Sequence, residues 1–158
     1  MIKRKPIIIA ILIFLVIVIG LTAMFFTKNS TMTTKELPVQ QLERSNINEG
    51  IIGKYISSNH EYWNNALCWG RSEKFSFAAF QNQYDKYKQN LTEIINGVDN
   101  PDLKADFLQA QELLEIANEK KDVKYLIRVH RIFHDLDVKY NGYATSDYFG
   151  ITQYGKKH

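Results

Sequence analysis

Residues 122–140 read DVKYLIRVHRIFHDLDVKY, and this stretch decides what kind of fold the chain has. At about 100° per residue, Val123, Leu126, Ile127, His130, Phe133, His134 and Asp137 fall on one stripe. Lys124, Arg128, Arg131, Asp135 and Lys139 fall on the opposite arc, which is expected to be solvated. A broad apolar stripe backed by charges is the pattern of an amphipathic helix packed on one side. Asp122 is suited to cap its start, and Asn141-Gly142 to close its end. The stripe carries an oddity: His130, His134 and Asp137 follow one another at single-turn spacing on the apolar side. Polar groups are costly there unless something pairs with them.

The same period extends back along the chain. In 101–121, Leu103, Phe107, Ala110, Leu114 and Ala117 share a face. Asn100 is a good cap, Pro101 suits the first helical position, and Asp102 favours the positive end of the helix dipole. Lys120 and Lys121 stand at the C-terminal end, where cations are favoured. In 72–96, Phe77, Phe80, Tyr84, Tyr87, Leu91 and Ile94 step by threes and fours. Ser72 is the expected cap of this helix, with Glu73 in its first turn. Asn96-Gly97 is its expected stop, with the glycine in the left-handed conformation. Residues 40–70 are helical in tendency but interrupted: Gly50 and Gly53 weaken the pattern. Ser57-Ser58-Asn59 offers a break before a second helix running from His60 to Trp69. Residues 143–158 have no clean period. Tyr148, Phe149, Ile151 and Tyr154 are too apolar for a free tail, so part of this segment is expected to pack back on the helices. No stretch alternates as a strand would. The fold class that follows is all-α, with an antiparallel bundle of about four helices.

Near the start, residues 7–26 read IIIAILIFLVIVIGLTAMFF, with no charge and only the Thr22 hydroxyl as a polar group. Twenty residues at about 1.5 Å each span the roughly 30 Å apolar core of a bilayer. A helix is the natural form, because it pairs its own backbone groups where no water reaches. Lys3, Arg4 and Lys5 crowd the leading side, while Lys28 and Lys35 follow sparsely, which predicts a cytoplasmic N-terminus. A cleaved signal peptide would have a shorter apolar centre and a better site than Leu21-Thr22-Ala23. The expected organisation is a cytoplasmic flank (1–6), a single transmembrane anchor (7–26) that makes the lipid bilayer a partner, a polar tether (27–39), and an extracytoplasmic helical domain (40–158).

Without Lys3, Arg4 and Lys5, the 20 basic and 17 acidic residues balance. The basicity is therefore a topology signal, with no footprint for nucleic acid. About 130 residues after the anchor suit one core. Cys68 is the only cysteine. It rules out an intramolecular disulfide and reads as a small buried hydrophobe. Trp63 and Trp69 read as buried aromatic anchors.

Two arrangements satisfy the polar groups of 122–140. The commoner is a hydrogen-bonded core network of histidine, aspartate and tyrosine hydroxyls, with Tyr55, Tyr62, Tyr84 and Tyr87 available. The other is a transition metal such as zinc, held by His130, His134 and Asp137, with His60 or Glu61 from the first helical region. The zinc-protease pattern needs a glutamate where Arg131 stands. His134-Asp135 faintly resembles the paired His-Asp of all-helical phosphohydrolases. That resemblance would make His60 and Asp147 outer ligands, but Asp135 falls on the solvated arc. There is no phosphate loop and no serine nucleophile setting. The expected function is a non-enzymatic binding or accessory domain of the cell envelope, with another envelope protein as partner and no resident cofactor. The alternative is a metal-binding domain, sensing or hydrolytic.

Overall fold

In a computed structural model of the chain, the structure describes residues 47–143, 145 and 147–156. Four α-helices follow one another: α1 (Glu49–Leu67), α2 (Phe77–Gly97), α3 (Pro101–Lys120) and α4 (Val123–Tyr140). There is no strand among the described residues. They all belong to one compact unit, Glu36–His158. The expected flank, anchor and tether, and the first residues of the expected domain, lie outside the described residues. Among the described residues no helix is long and apolar enough to cross a membrane.

Local chemistry explains most helix ends. The Asn100 side chain accepts the Asp102 and Leu103 amides, with Pro101 at the first position, so α3 starts where the sequence places it. The Asp122 carboxylate accepts the Lys124 amide and starts α4. Asn141 ends α4, and Gly142 follows at φ 76°, a left-handed turn that suits glycine.

Three expectations are corrected. Ser72 does not cap α2: Ser72–Lys74 is a separate 3-10 turn, and Ser76 caps the helix through the Ala79 amide. Phe75 sets that start. It precedes the cap, and its ring packs 5.8 Å from Phe80 one turn inside α2, clipping the entering chain onto the helix. Nor does the Ser57-Ser58-Asn59 triplet break α1, which is continuous. Ser57 Oγ donates to the Lys54 carbonyl and Asn59 Nδ2 to the Tyr55 carbonyl, so both side chains bond back into their own helix. Gly97 is helical rather than left-handed. A Cβ there would meet the Ile47 side chain at 2.7 Å, so the glycine is a point of close approach.

Helices α2 and α3 run in opposite directions, and so do α1 and α4, as their contacts record. Thr92 meets Gln111 while Lys88 meets Glu115 across α2 and α3. His60 meets Asp137, and Gly53 meets Asn141, across α1 and α4. The core is largely aromatic. Tyr55, Phe107 and Phe133 form a triangle with centroids 6.1–6.2 Å apart that joins α1, α3 and α4. The two pairs that Tyr55 makes are edge-to-face, and such pairs add about 0.5–1.5 kcal/mol each beyond the area they bury. Trp63, fully buried, packs on Phe80 and Tyr87 of α2. Trp69 breaks the expectation of two buried tryptophans. It is 70% exposed, at φ 55° in the turn after α1, with the Arg71 guanidinium over its ring.

Helix α4 is the central one, packed on both α1 and α3. It is therefore buried over more than its apolar stripe: Val129, Ile132 and Leu136 are also in the core. The segment 147–156 packs back on the bundle, as its apolar residues predict. Asp106 of α3 accepts the amides of Gln153 and Tyr154 at 2.7 and 2.9 Å. Asp135 of α4 accepts those of Phe149 and Ile151 at 2.8 and 2.9 Å. Asp135 is fully buried, which corrects its placement on the solvated arc: the returning segment covers that arc and brings amides to its carboxylate. Burial pushes the Asp106 carboxyl above its ordinary range, against the pull of its two amides.

Candidate functional site

His60 lies in the middle of α1, and His130 and His134 one turn apart on α4. Antiparallel packing of α1 on α4 puts His60 opposite this pair. The ring centroids are 4.8 Å apart for His60 and His134, 5.7 Å for His60 and His130, and 6.1 Å for His130 and His134. Asp137, one turn beyond His134, is buried. Its Oδ2 accepts the His60 Nδ1–H at 2.7 Å, and its Oδ1 accepts Asn141 Nδ2, which also donates to the Gly53 carbonyl. That pairing fixes the His60 ring and leaves the lone pair of its neutral form on Nε2. Of the four residues singled out as candidate metal ligands, the three histidines stand side by side, and Asp137 holds His60 from behind.

The surroundings are mixed. His130 is buried, and Cys68 Sγ lies 3.9 Å from its Nε2. Burial pushes the His130 imidazole down to about 4, helped by the nearby His60 and His134, so it is neutral at physiological pH. Cys68 caps the end of α1 and is only partly buried, which corrects its reading as a core residue. Burial raises its thiol above the ordinary value, against the pull of Arg71. The His134 side chain is 13% exposed. Its Nε2 is 3.9 Å from Asp147 Oδ2, while its buried Nδ1 lies 3.5 Å from Asp135 Oδ1 and makes no hydrogen bond. Phe149, 40% exposed, lies over the cluster with its ring 4.9 Å from His134 and under the Arg131 guanidinium.

The tyrosines expected to satisfy the histidines do not do so. Tyr87 bonds elsewhere: its hydroxyl takes the Trp63 Nε1–H at 3.0 Å and donates to Asn59 Oδ1. The phosphohydrolase-like arrangement also loses its central carboxylate, because both oxygens of Asp135 hold backbone amides. Among the described residues, no three His, Cys, Asp or Glu side chains converge as they would around a bound ion.

Three features of this region escaped the sequence: the Phe149 cover, the Cys68 contact, and the carboxylates that hold the returning segment. Asp106 did leave a trace, since it lies three residues after Leu103 and four before Ala110, on the buried face of α3. No protein-family model matches the chain, and no curated protein or solved structure is similar enough to match it.

Proposed function

We propose that the chain is a single-pass membrane protein whose helical domain lies outside the cytoplasm and acts by binding, as an accessory component of the cell envelope. The observation that carries this reading is the uncharged run 7–26, with Lys3, Arg4 and Lys5 crowded on one side of it. The chemistry of α4 supports binding over hydrolysis. The two buried carboxylates beside the histidines are engaged, Asp135 with the amides of Phe149 and Ile151, and Asp137 with His60 and Asn141. Neither is left to activate a water as a general base, and the third, Asp147, is largely exposed and 3.9 Å from His134 Nε2. Trp69 gives a protein partner a large apolar anchor, exposed and backed by Arg71.

The test of the address is a reporter enzyme fused after His158 that is active only beyond the membrane. Activity in intact cells is the expected result. A fusion active only in the cytosolic form of the reporter overturns the reading. For the binding role, a photoreactive residue in place of Trp69 should give a discrete crosslinked species in the membrane fraction. A chain that crosslinks to nothing there contradicts it.

A further inference from the structure

We propose that His60, His130 and His134 form a site for one transition-metal ion of the zinc class, with Asp137 as the positioning residue. The inference concerns the bundle alone and is independent of which side of the membrane the bundle occupies.

Spacing is the first argument. Three imidazoles on one tetrahedral ion, with bonds of about 2.0–2.1 Å, place their ring centroids about 5 Å apart. The three rings here stand 4.8, 5.7 and 6.1 Å apart, drawn from two helices. The ligand atoms do not converge in this structure, so binding requires His130 and His134 to turn toward a His60 ring that Asp137 holds in place.

The second argument is the bond behind the ring. A metal-bound histidine commonly donates its other N–H to a carboxylate, which fixes its tautomer and orientation. The His60 Nδ1–H donates to Asp137 Oδ2 at 2.7 Å, and Asn141 anchors that carboxylate in turn. An exposed histidine needs no such support.

The third argument is spare capacity. The buried His134 Nδ1 has no hydrogen-bond partner, its closest carboxylate oxygen being Asp135 Oδ1 at 3.5 Å, which already holds a backbone amide; His130 Nε2 makes a long contact with Cys68 Sγ at 3.9 Å. Polar atoms in a core are ordinarily satisfied. A hydrogen-bonded network engages His60 through Asp137 and leaves His130 and His134 with weaker contacts. Imidazoles with a thiol nearby select borderline and soft ions over magnesium or calcium, which take oxygen ligands. Phe149 packs on His134 from the returning segment and limits the access of water to the site.

The experiment uses the full chain, purified in detergent, stripped of metal and titrated with Co²⁺ and then Zn²⁺. Histidine-selective ¹⁵N NMR and the visible cobalt spectrum give the readouts. The expected result is saturation at one ion per chain, with a tetrahedral cobalt spectrum and ring signals of three of the four histidines moving together. Asp137→Asn should keep the fold and weaken binding about 10- to 100-fold. His60→Ala, on the more open side of the cluster, should abolish the cobalt spectrum. Binding that is only millimolar overturns the proposal, as does binding that Asp137→Asn and His60→Ala leave unchanged. The NMR readout on the unmodified chain decides the matter even if a variant fails to fold.

Discussion

Helix α1 carries two polar islands that begin on adjacent residues and face different neighbours. Asn59 points toward α2. There the Trp63 Nε1–H donates to the Tyr87 hydroxyl, Tyr87 to Asn59 Oδ1, and Asn59 Nδ2 to the Tyr55 carbonyl. Every link in that chain is buried and used. His60 points toward α4, where three imidazoles gather, one of them with an unpartnered ring nitrogen and two in contact with a half-open phenylalanine. The first island does the work of a core and closes on itself. The second has the composition of a core network without its saturation. The difference separates polar residues kept for folding from polar residues kept for something else.

The largest effect belongs to the closed island. Trp63→Ala should remove about 3–5 kcal/mol of stability, through lost burial and the cavity left behind. Denaturant unfolding of the variant against the parent checks this. A loss below about 1 kcal/mol would mean that the α1–α2 seam is not the structural one.

Acid should expose the open island next. His130 is held down at about 4 in the fold, against an ordinary 6.5. The unfolded chain therefore takes up this proton first as pH falls. Stability from this group is fully present above 6.5, declines between 6.5 and about 4, and is level below that. The shift corresponds to a loss of up to about 3 kcal/mol. His60, His134, Arg131 and Asp147 all bear on this proton. Unfolding curves through that window should show the decline, and His130→Leu should flatten it.

The returning segment offers a smaller and more local test. Asp135→Ala strips two amides of a charged acceptor and should cost about 2 kcal/mol. Hydrogen exchange at Phe149 and Ile151 should quicken markedly, while the core amide of Leu91 stays protected. Uniform acceleration would show that the segment is part of the global core. The smallest effect is expected at Tyr55, whose buried hydroxyl lies beside Tyr87 and Asn59 without a well-formed hydrogen bond to either. Tyr55→Phe should change stability by less than about 1 kcal/mol.

These residues also show how much could be read from the sequence. Helix number, the starts of α3 and α4, and the return of the last segment were legible, because capping and amphipathic periodicity are local. Asn100-Pro101-Asp102 needs nothing outside itself. Ser76 displaced Ser72 because Phe75 packs on Phe80, a tertiary preference that overrides an acceptable cap. Asp106 and Asp135 could not be read, since their amide partners lie 14 to 48 residues further along the chain. A periodicity argument scores each as a polar residue out of place or on a wet face. The candidate site was half legible: the spacing of His130, His134 and Asp137 marked one helix. His60 could be named only as the remaining internal histidine, and nothing local hinted that Asp137 would bind it.

The most direct test of the contrast is to unfold two variants in denaturant at neutral pH without metal: Tyr87→Phe in the closed island and His134→Leu in the open one. Tyr87→Phe should cost about 1–3 kcal/mol, because it leaves the Asn59 acceptor and the Trp63 donor stranded. His134→Leu should cost less than about 0.5 kcal/mol or stabilise the fold, because its ring makes only long polar contacts, 3.5 Å to Asp135 and 3.9 Å to Asp147, and no hydrogen bond. Equal losses would contradict the account and make the histidines an ordinary part of the core.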